Sequence, residues 1–104
     1  TSSIQMGGVT LTEAFAAYCI DMINGKLCNI IQQYQFFLSD GCWNLKMYVL
    51  PKFKGWHDEI ERVTIEGMEN NGIQLNRNRI EIVYQPIFSP GKKFSIFNFK
   101  ATTR

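Results

Sequence analysis

Arg79-Ile80-Glu81-Ile82-Val83-Tyr84-Gln85 alternates polar and apolar residues, the period of a strand with one buried and one wet face. Downstream, Ser89-Pro90-Gly91-Lys92 supplies a turn, because proline presets φ at the second turn position and glycine accepts the positive φ that a type II turn needs at the third. From Lys93 to Lys100 the chain is rich in Phe and Ile and returns as the partner strand. Residues 79–100 therefore predict a β-hairpin, around which the rest of the chain is arranged. In its second strand Phe94 and Ile96 point one way while Phe97 and Phe99 point the other. That requires a bulge near Ile96-Phe97 or a strand buried on both faces.

The stretch before the hairpin reads two ways. As a helix from about Trp56 to Asn70, it gathers Trp56, Ile60, Val63, Thr64, Gly67 and Met68 on one side. Asp58, Glu59, Glu61, Arg62, Glu66 and Glu69 then lie opposite, and Asn71-Gly72-Ile73 gives a glycine cap followed by an apolar residue. As a second hairpin, an Asn71-Gly72 turn would join residues 62–68 to 73–76. The helix sorts nearly every charge and is preferred. Residues 43–50 alternate, with Leu45, Met47 and Val49 on one face, and predict another strand ending at Pro51.

Toward the amino end, Thr10 and Glu13 have capping-box spacing and predict a helix from Leu11, with Leu11, Ala14, Phe15, Tyr18, Cys19, Met22 and Ile23 on its apolar side. Past Asn24-Gly25 the same wheel puts Leu27, Ile30, Ile31, Tyr34, Phe37 and Leu38 on a displaced arc. This predicts a second helix, ended by Ser39-Asp40-Gly41. Residues 1–8 read as a flexible lead and 9–104 as a single α+β domain. The expected architecture is two N-terminal helices packed on a small, mainly antiparallel sheet, in the order α-α-β-α-β-β. With the hairpin alternative it becomes α-α followed by an antiparallel meander.

A chain of 104 residues, 45% hydrophobic and 19% charged, buries a core without disulfides or metal, and contains no apolar run long enough to span a bilayer. It is expected to be soluble. It starts at Thr1 without a basic n-region and apolar core, so any signal peptide is expected to be already removed or never present. Three cysteines, Cys19, Cys28 and Cys42, are an odd set for a secreted disulfide scaffold. They are read as free, mostly buried thiols, which leans toward the cytoplasm and leaves the compartment open. Charge is uneven: residues 55–76 carry five acids against Arg62, and residues 77–104 carry six bases against Glu81.

Side-chain groupings that suggest chemistry each have a plainer account. Cys42-Trp43 followed by His57 has the flavour of a thiol-protease site, yet no third group orients the single histidine. Cys19, Cys28, Cys42 and His57 lack the close pairing of structural zinc ligands. Cys19 and Cys28 flank Asn24-Gly25, but Cys28 falls off the apolar arc of its predicted helix, which argues against a disulfide. His57-Asp58-Glu59 fits a polar first helical turn whose acids complement the dipole. No catalytic residue, cofactor or metal is expected.

One grouping has functional content. Arg77, Arg79, Lys92, Lys93, Lys100 and Arg104 interleave with Tyr84, Phe88, Phe94, Phe97 and Phe99. The expected function is a non-catalytic protein–protein interaction module, of an inhibitor, immunity-type or adaptor kind, that docks a partner protein or itself. Its partner-binding residues are expected to be Phe97, Phe99, Lys92, Lys93, Arg79 and Tyr84. The competing expectation is a nucleic-acid-binding domain or small metal-free ribonuclease that uses the basic hairpin with His57.

Overall fold

A computed structural model describes residues 5–6, 9–10 and 19–103. In chain order the elements are β1 (Gln5–Met6), β2 (Val9–Thr10), α1 (Asp21–Ile23), β3 (Cys28–Ile30), β4 (Gln35–Ser39), β5 (Cys42–Pro51), α2 (Trp56–Asn70), β6 (Leu75–Ser89) and β7 (Lys92–Thr103). Five strands form one antiparallel sheet in the order β3-β5-β7-β6, with β4 pairing the other half of β5. Among the described residues β1 and β2 pair with each other, as a two-stranded ribbon.

The predicted hairpin is β6–β7, closed at Ser89 and Lys92 around a turn in which Gly91 has φ 77°. β7 runs without a bulge, in continuous register from Thr102 to Ser95 against β5 and from Ala101 to Lys92 against β6. Its two apolar sets therefore occupy two faces. Phe97, Phe99 and Ala101 are buried toward the helix, while Phe94 and Ile96 are half-buried on the opposite, outer face.

Helix α2 spans the residues its charge pattern predicts. Its outer surface is laced by Arg62, which donates to Glu59 at 2.8 Å and to Glu66 at 2.9 Å. At its end the Gly72 N–H donates to the Glu69 carbonyl at 3.0 Å and the Ile73 N–H to the Met68 carbonyl at 3.1 Å, with Gly72 at φ 86°. That is the Schellman pattern, and it buries Ile73 beside Met68. The apolar side of α2, Trp56, Ile60, Val63 and Met68, packs in one cluster with Trp43, Leu45, Met47 and Val49 of β5 and the inner residues of β7. Cys19, Ile20, Ile23 and Cys28 belong to the same core.

The second N-terminal helix is a correction. Residues 28–30 and 35–39 are strands β3 and β4, both antiparallel to β5. Between them the chain takes five steps from Ile30 to Gln35 while β5 takes three from Val49 to Lys46, so two extra residues are accommodated in 31–34, an interruption after which even-numbered residues again face the core. Asp40-Gly41 does not end a helix. With φ values of 52° and 73° it forms the hairpin turn joining β4 to β5, closed by the Ser39–Cys42 pair. Asn24-Gly25 does divide two elements, though the second is strand β3 and not a helix, and the Asn24 side-chain oxygen accepts the N–H of Ile30, the last residue of β3, at 2.9 Å. The helix expected from Leu11 falls mostly on residues 11–18, outside the described residues, and α1 is its one described turn. Of the expected lead, Gln5–Met6 is described, as β1. The class is α+β with an antiparallel sheet.

A Cβ at Gly41 meets nothing within 4 Å, so substitution there tests backbone strain alone. Gly41→Val is expected to lower stability by about 1–3 kcal/mol in urea denaturation, the cost of holding a β-branched residue at positive φ. An unchanged midpoint would contradict the turn geometry.

Candidate functional site

The residues expected to meet a partner divide into three groups. Phe97 and Phe99, at 0% and 1% exposure, belong to the core, and the exposure expected of them is corrected. β7 presents these two rings to the α2 side of the sheet, where the sequence pattern alone leaves open which face is covered. Tyr84 pairs with Phe97 across the ladder and stands half-buried on that same inner face, where it ties helix to sheet. Its hydroxyl donates to the Glu61 carboxylate at 2.6 Å, with the His57 carbonyl 3.1 Å away. Burial first, and then the Glu61 and Asp58 carboxylates, hold that hydroxyl well above the usual tyrosine range, so it stays protonated at neutral pH. The His57 ring meets the Tyr84 ring edge-on at 4.1 Å and tilts over Trp56 at 4.2 Å. This cluster anchors the start of α2, and its acids disfavour a phosphate beside His57.

Arg79 lies in a different place. Between Leu75 and Ile80 strand β6 takes five steps while β7 takes two, from Thr103 to Ala101, so residues 76–79 bulge from the edge. Arg77 leaves that bulge toward α2 and pairs with Glu69 at 2.5 Å, while Arg79 is exposed and helps line a pocket of about 380 Å³ with Cys42, Asn78, Glu81, Lys100 and Thr102. The Cys42 sulfur is 3.7 Å from the Thr102 hydroxyl.

Next to this pocket the outer face of the sheet continues as cross-strand rows. Phe37, Asn44, Lys100 and Glu81 form one row, Gln35, Lys46, Asn98 and Val83 the next, and Tyr48, Ile96 and Gln85 a third. Lys46 lies 5.4 Å from the Tyr48 ring centroid, and that ring is 6.2 Å from Phe94. Polar and aromatic side chains thus alternate over the face that α2 does not cover, and Val83 on it is 57% exposed.

Lys92 and Lys93 belong to a projecting arm. β5 last pairs with β7 at Val49–Ser95, but β6 and β7 go on pairing to Ser89–Lys92, so residues 87–94 extend past the sheet as a two-stranded tip. Phe88 on this tip is 71% exposed, with the Lys93 ammonium 5.5 Å from its ring centroid. The chain matches no protein-family model, no curated protein and no solved structure.

Two further features bear on chemistry. A cleft of about 470 Å³ between Met22 and the last turns of α2 has Cys19 in its wall. The Cys19 thiol donates to the Val63 carbonyl at 3.5 Å, and burial pushes its pKa up to about 12, the opposite of what a nucleophile or metal ligand needs. Cys19, Cys28 and Cys42 are all free thiols. Among the described residues, no group of three His, Cys, Asp or Glu side chains is arranged to hold a metal, and no helix is long and apolar enough to cross a membrane. Of the residues that define the arm and the open face, the sequence pattern noted Phe88 and Phe94 without separating them from Phe97 and Phe99, and it passed over Lys46, Tyr48 and Val83. Tyr48 and Lys46 were visible as the polar side of strand 43–50.

Proposed function

We propose that the protein is a non-catalytic binding module that docks a partner protein through the β6–β7 tip, on whose helix-side face Phe88 and Lys93 stand opposite each other. The observation that carries this is Phe88, a large apolar side chain 71% exposed on a paired arm that outruns its sheet. A paired tip loses little entropy on binding, and an aromatic ring set beside lysines is the composition of an interface anchor. Lys93 beside that ring favours a partner whose apolar pocket has an acidic rim. The test is capture of the partner from native lysate, followed by affinity measurement with purified components. Phe88→Asp is expected to weaken binding by at least tenfold, with modest salt dependence, while thermal stability is unchanged. Full affinity in that variant would remove the tip from the interface.

A second reading has one observation of its own: Lys46, Tyr48, Phe94 and Lys100 share the uncovered face, which suits stacking and phosphate neutralisation along a single strand. It predicts binding to an unstructured oligonucleotide that falls steeply with salt and is lost in Lys46→Glu/Lys100→Glu, whatever stands at position 88.

A further inference from the structure

Among the described residues β6 is an edge strand, and the side it leaves unpaired is defined by the ladder. A two-residue hairpin loop closes on a pair joined by the turn hydrogen bond, here Ser89 and Lys92, and bonded and non-bonded pairs then alternate down the strand. Counting from that closure, the N–H and C=O groups of Gln85, Val83 and Glu81 turn toward β7, and those of Tyr84, Ile82 and Ile80 turn outward. The same alternation carried across β7 makes Tyr48 of β5 face away from β7, and the Ile31 N–H does donate to the Tyr48 carbonyl at 2.9 Å. Pro86 sits at one of the outward positions, where its missing N–H costs the sheet nothing and denies a donor to any neighbour. Below, the bulge at residues 76–79 interrupts the edge. What remains between these two stops is a window of five residues, 80–84, with three outward donor–acceptor sets.

We infer that this window pairs with the same window of a second copy, antiparallel about a two-fold axis at Ile82, to join two sheets edge to edge. Only registers that match outward residues to outward residues make bonds. One centred on Glu81 sets that carboxylate against its own copy, and one centred on Val83 sets Ile80 against Pro86, which lacks the donor. Centring on Ile80 draws the bulge into the ladder. Centred on Ile82, Ile80 meets Tyr84 of the other copy at both ends, every outward group is bonded, and no like charges stand opposite. Of the α2 acids on this side, Glu61 is held within each copy by Tyr84 and Glu69 by Arg77, and Asp58 also faces Tyr84. The register also places Val83 opposite Glu81 of the other copy, on the outer face. Pairing in this way would double the open face and put two tips on one particle, independently of what the tips bind.

The experiment uses Val83, which is exposed enough to change without disturbing the core. Sedimentation equilibrium of the purified chain should show concentration-dependent dimerisation. Val83→Lys adds two attractive cross-copy pairs and should tighten the dimer about three- to thirtyfold, while Val83→Glu adds two repulsive ones and should loosen it by a similar factor. In a Cys42→Ser background, Glu81→Cys/Val83→Cys should form a disulfide-linked dimer under oxidation, and Val83→Cys alone should not. A chain that stays monomeric to its solubility limit overturns the inference, as does an equal response to Lys and Glu. Phe88→Asp leaves this assay unchanged, so failure here and failure of the docking reading are separable.

Discussion

Phe97→Ala is expected to lower folding stability by about 3–5 kcal/mol, the range for emptying a fully buried aromatic site. The ring has no solvent exposure and lies 5.5 Å from Tyr84 and 6.3 Å from Phe99, with Met47 and Tyr84 as its cross-strand partners. Its removal leaves a cavity between the central strand and α2, and paired strands on both sides limit how far the backbone can close it. Urea denaturation should show a lower midpoint at unchanged slope. Phe94→Ala, three pairs up the ladder and half-buried on the outer face, is the control and should cost about 1 kcal/mol or less. Since typical domains hold about 5–15 kcal/mol in all, the first variant is expected to be partly unfolded near body temperature and the second intact. A Phe97→Ala protein with the parental midpoint would return that ring to the surface, where the sequence pattern had first put it.

The contrast between Phe94 and Phe97 shows what the sequence could and could not reveal. Strand 43–50, helix α2 and the β6–β7 hairpin were legible because each combines a clear period with chemistry at its ends: Pro51, the Asn71-Gly72-Ile73 cap and the Pro90-Gly91 turn. β3 and β4 were not. The loop at residues 31–34 interrupts the two strands without changing which residues face the core, and Ile30, Ile31, Tyr34 and Phe37 happen to fall on a helical arc. The β-branched and aromatic content of that stretch, followed by Asp40-Gly41, was the competing signal, and it described a hairpin. For the candidate site, the basic residues of the hairpin were visible but their separation was not. Arg79 goes to a bulge, Lys93 to a tip and Tyr84 to the helix because of pairing lengths and α2 placement, which only the tertiary structure sets. Phe88 is exposed because β7 outlasts its pairing with β5, a difference that no local pattern records.

Raising the pH above 9 should destabilise this protein, and the two core thiols supply the reason. Burial pushes Cys19 from 9.0 up to about 12 and Cys28 from 9.0 up to about 11, the latter despite the nearby Lys52 ammonium. Each group keeps its proton longer in the folded chain than in the unfolded one. Their contribution is therefore complete below pH 9 and is lost as pH climbs from 9 through the folded values, because the unfolded chain gains by ionising first. At pH 11 the two together should remove on the order of 5 kcal/mol, comparable with the whole stability of many domains. Tyr84 acts in the same direction above its ordinary value of 10.0. Denaturation midpoints measured at pH 8, 9, 10 and 11 should fall progressively, and in Cys19→Ala/Cys28→Ala the fall should be shallower between 9 and 11, although that variant starts from a lower midpoint. Equal slopes in the two proteins would mean that the thiols reach water in the folded chain. Cys42, half-buried at the sheet margin, supplies an internal reference. A thiol reagent at pH 8 should label it in the native protein, and the two core cysteines should react only at the rate at which the chain opens.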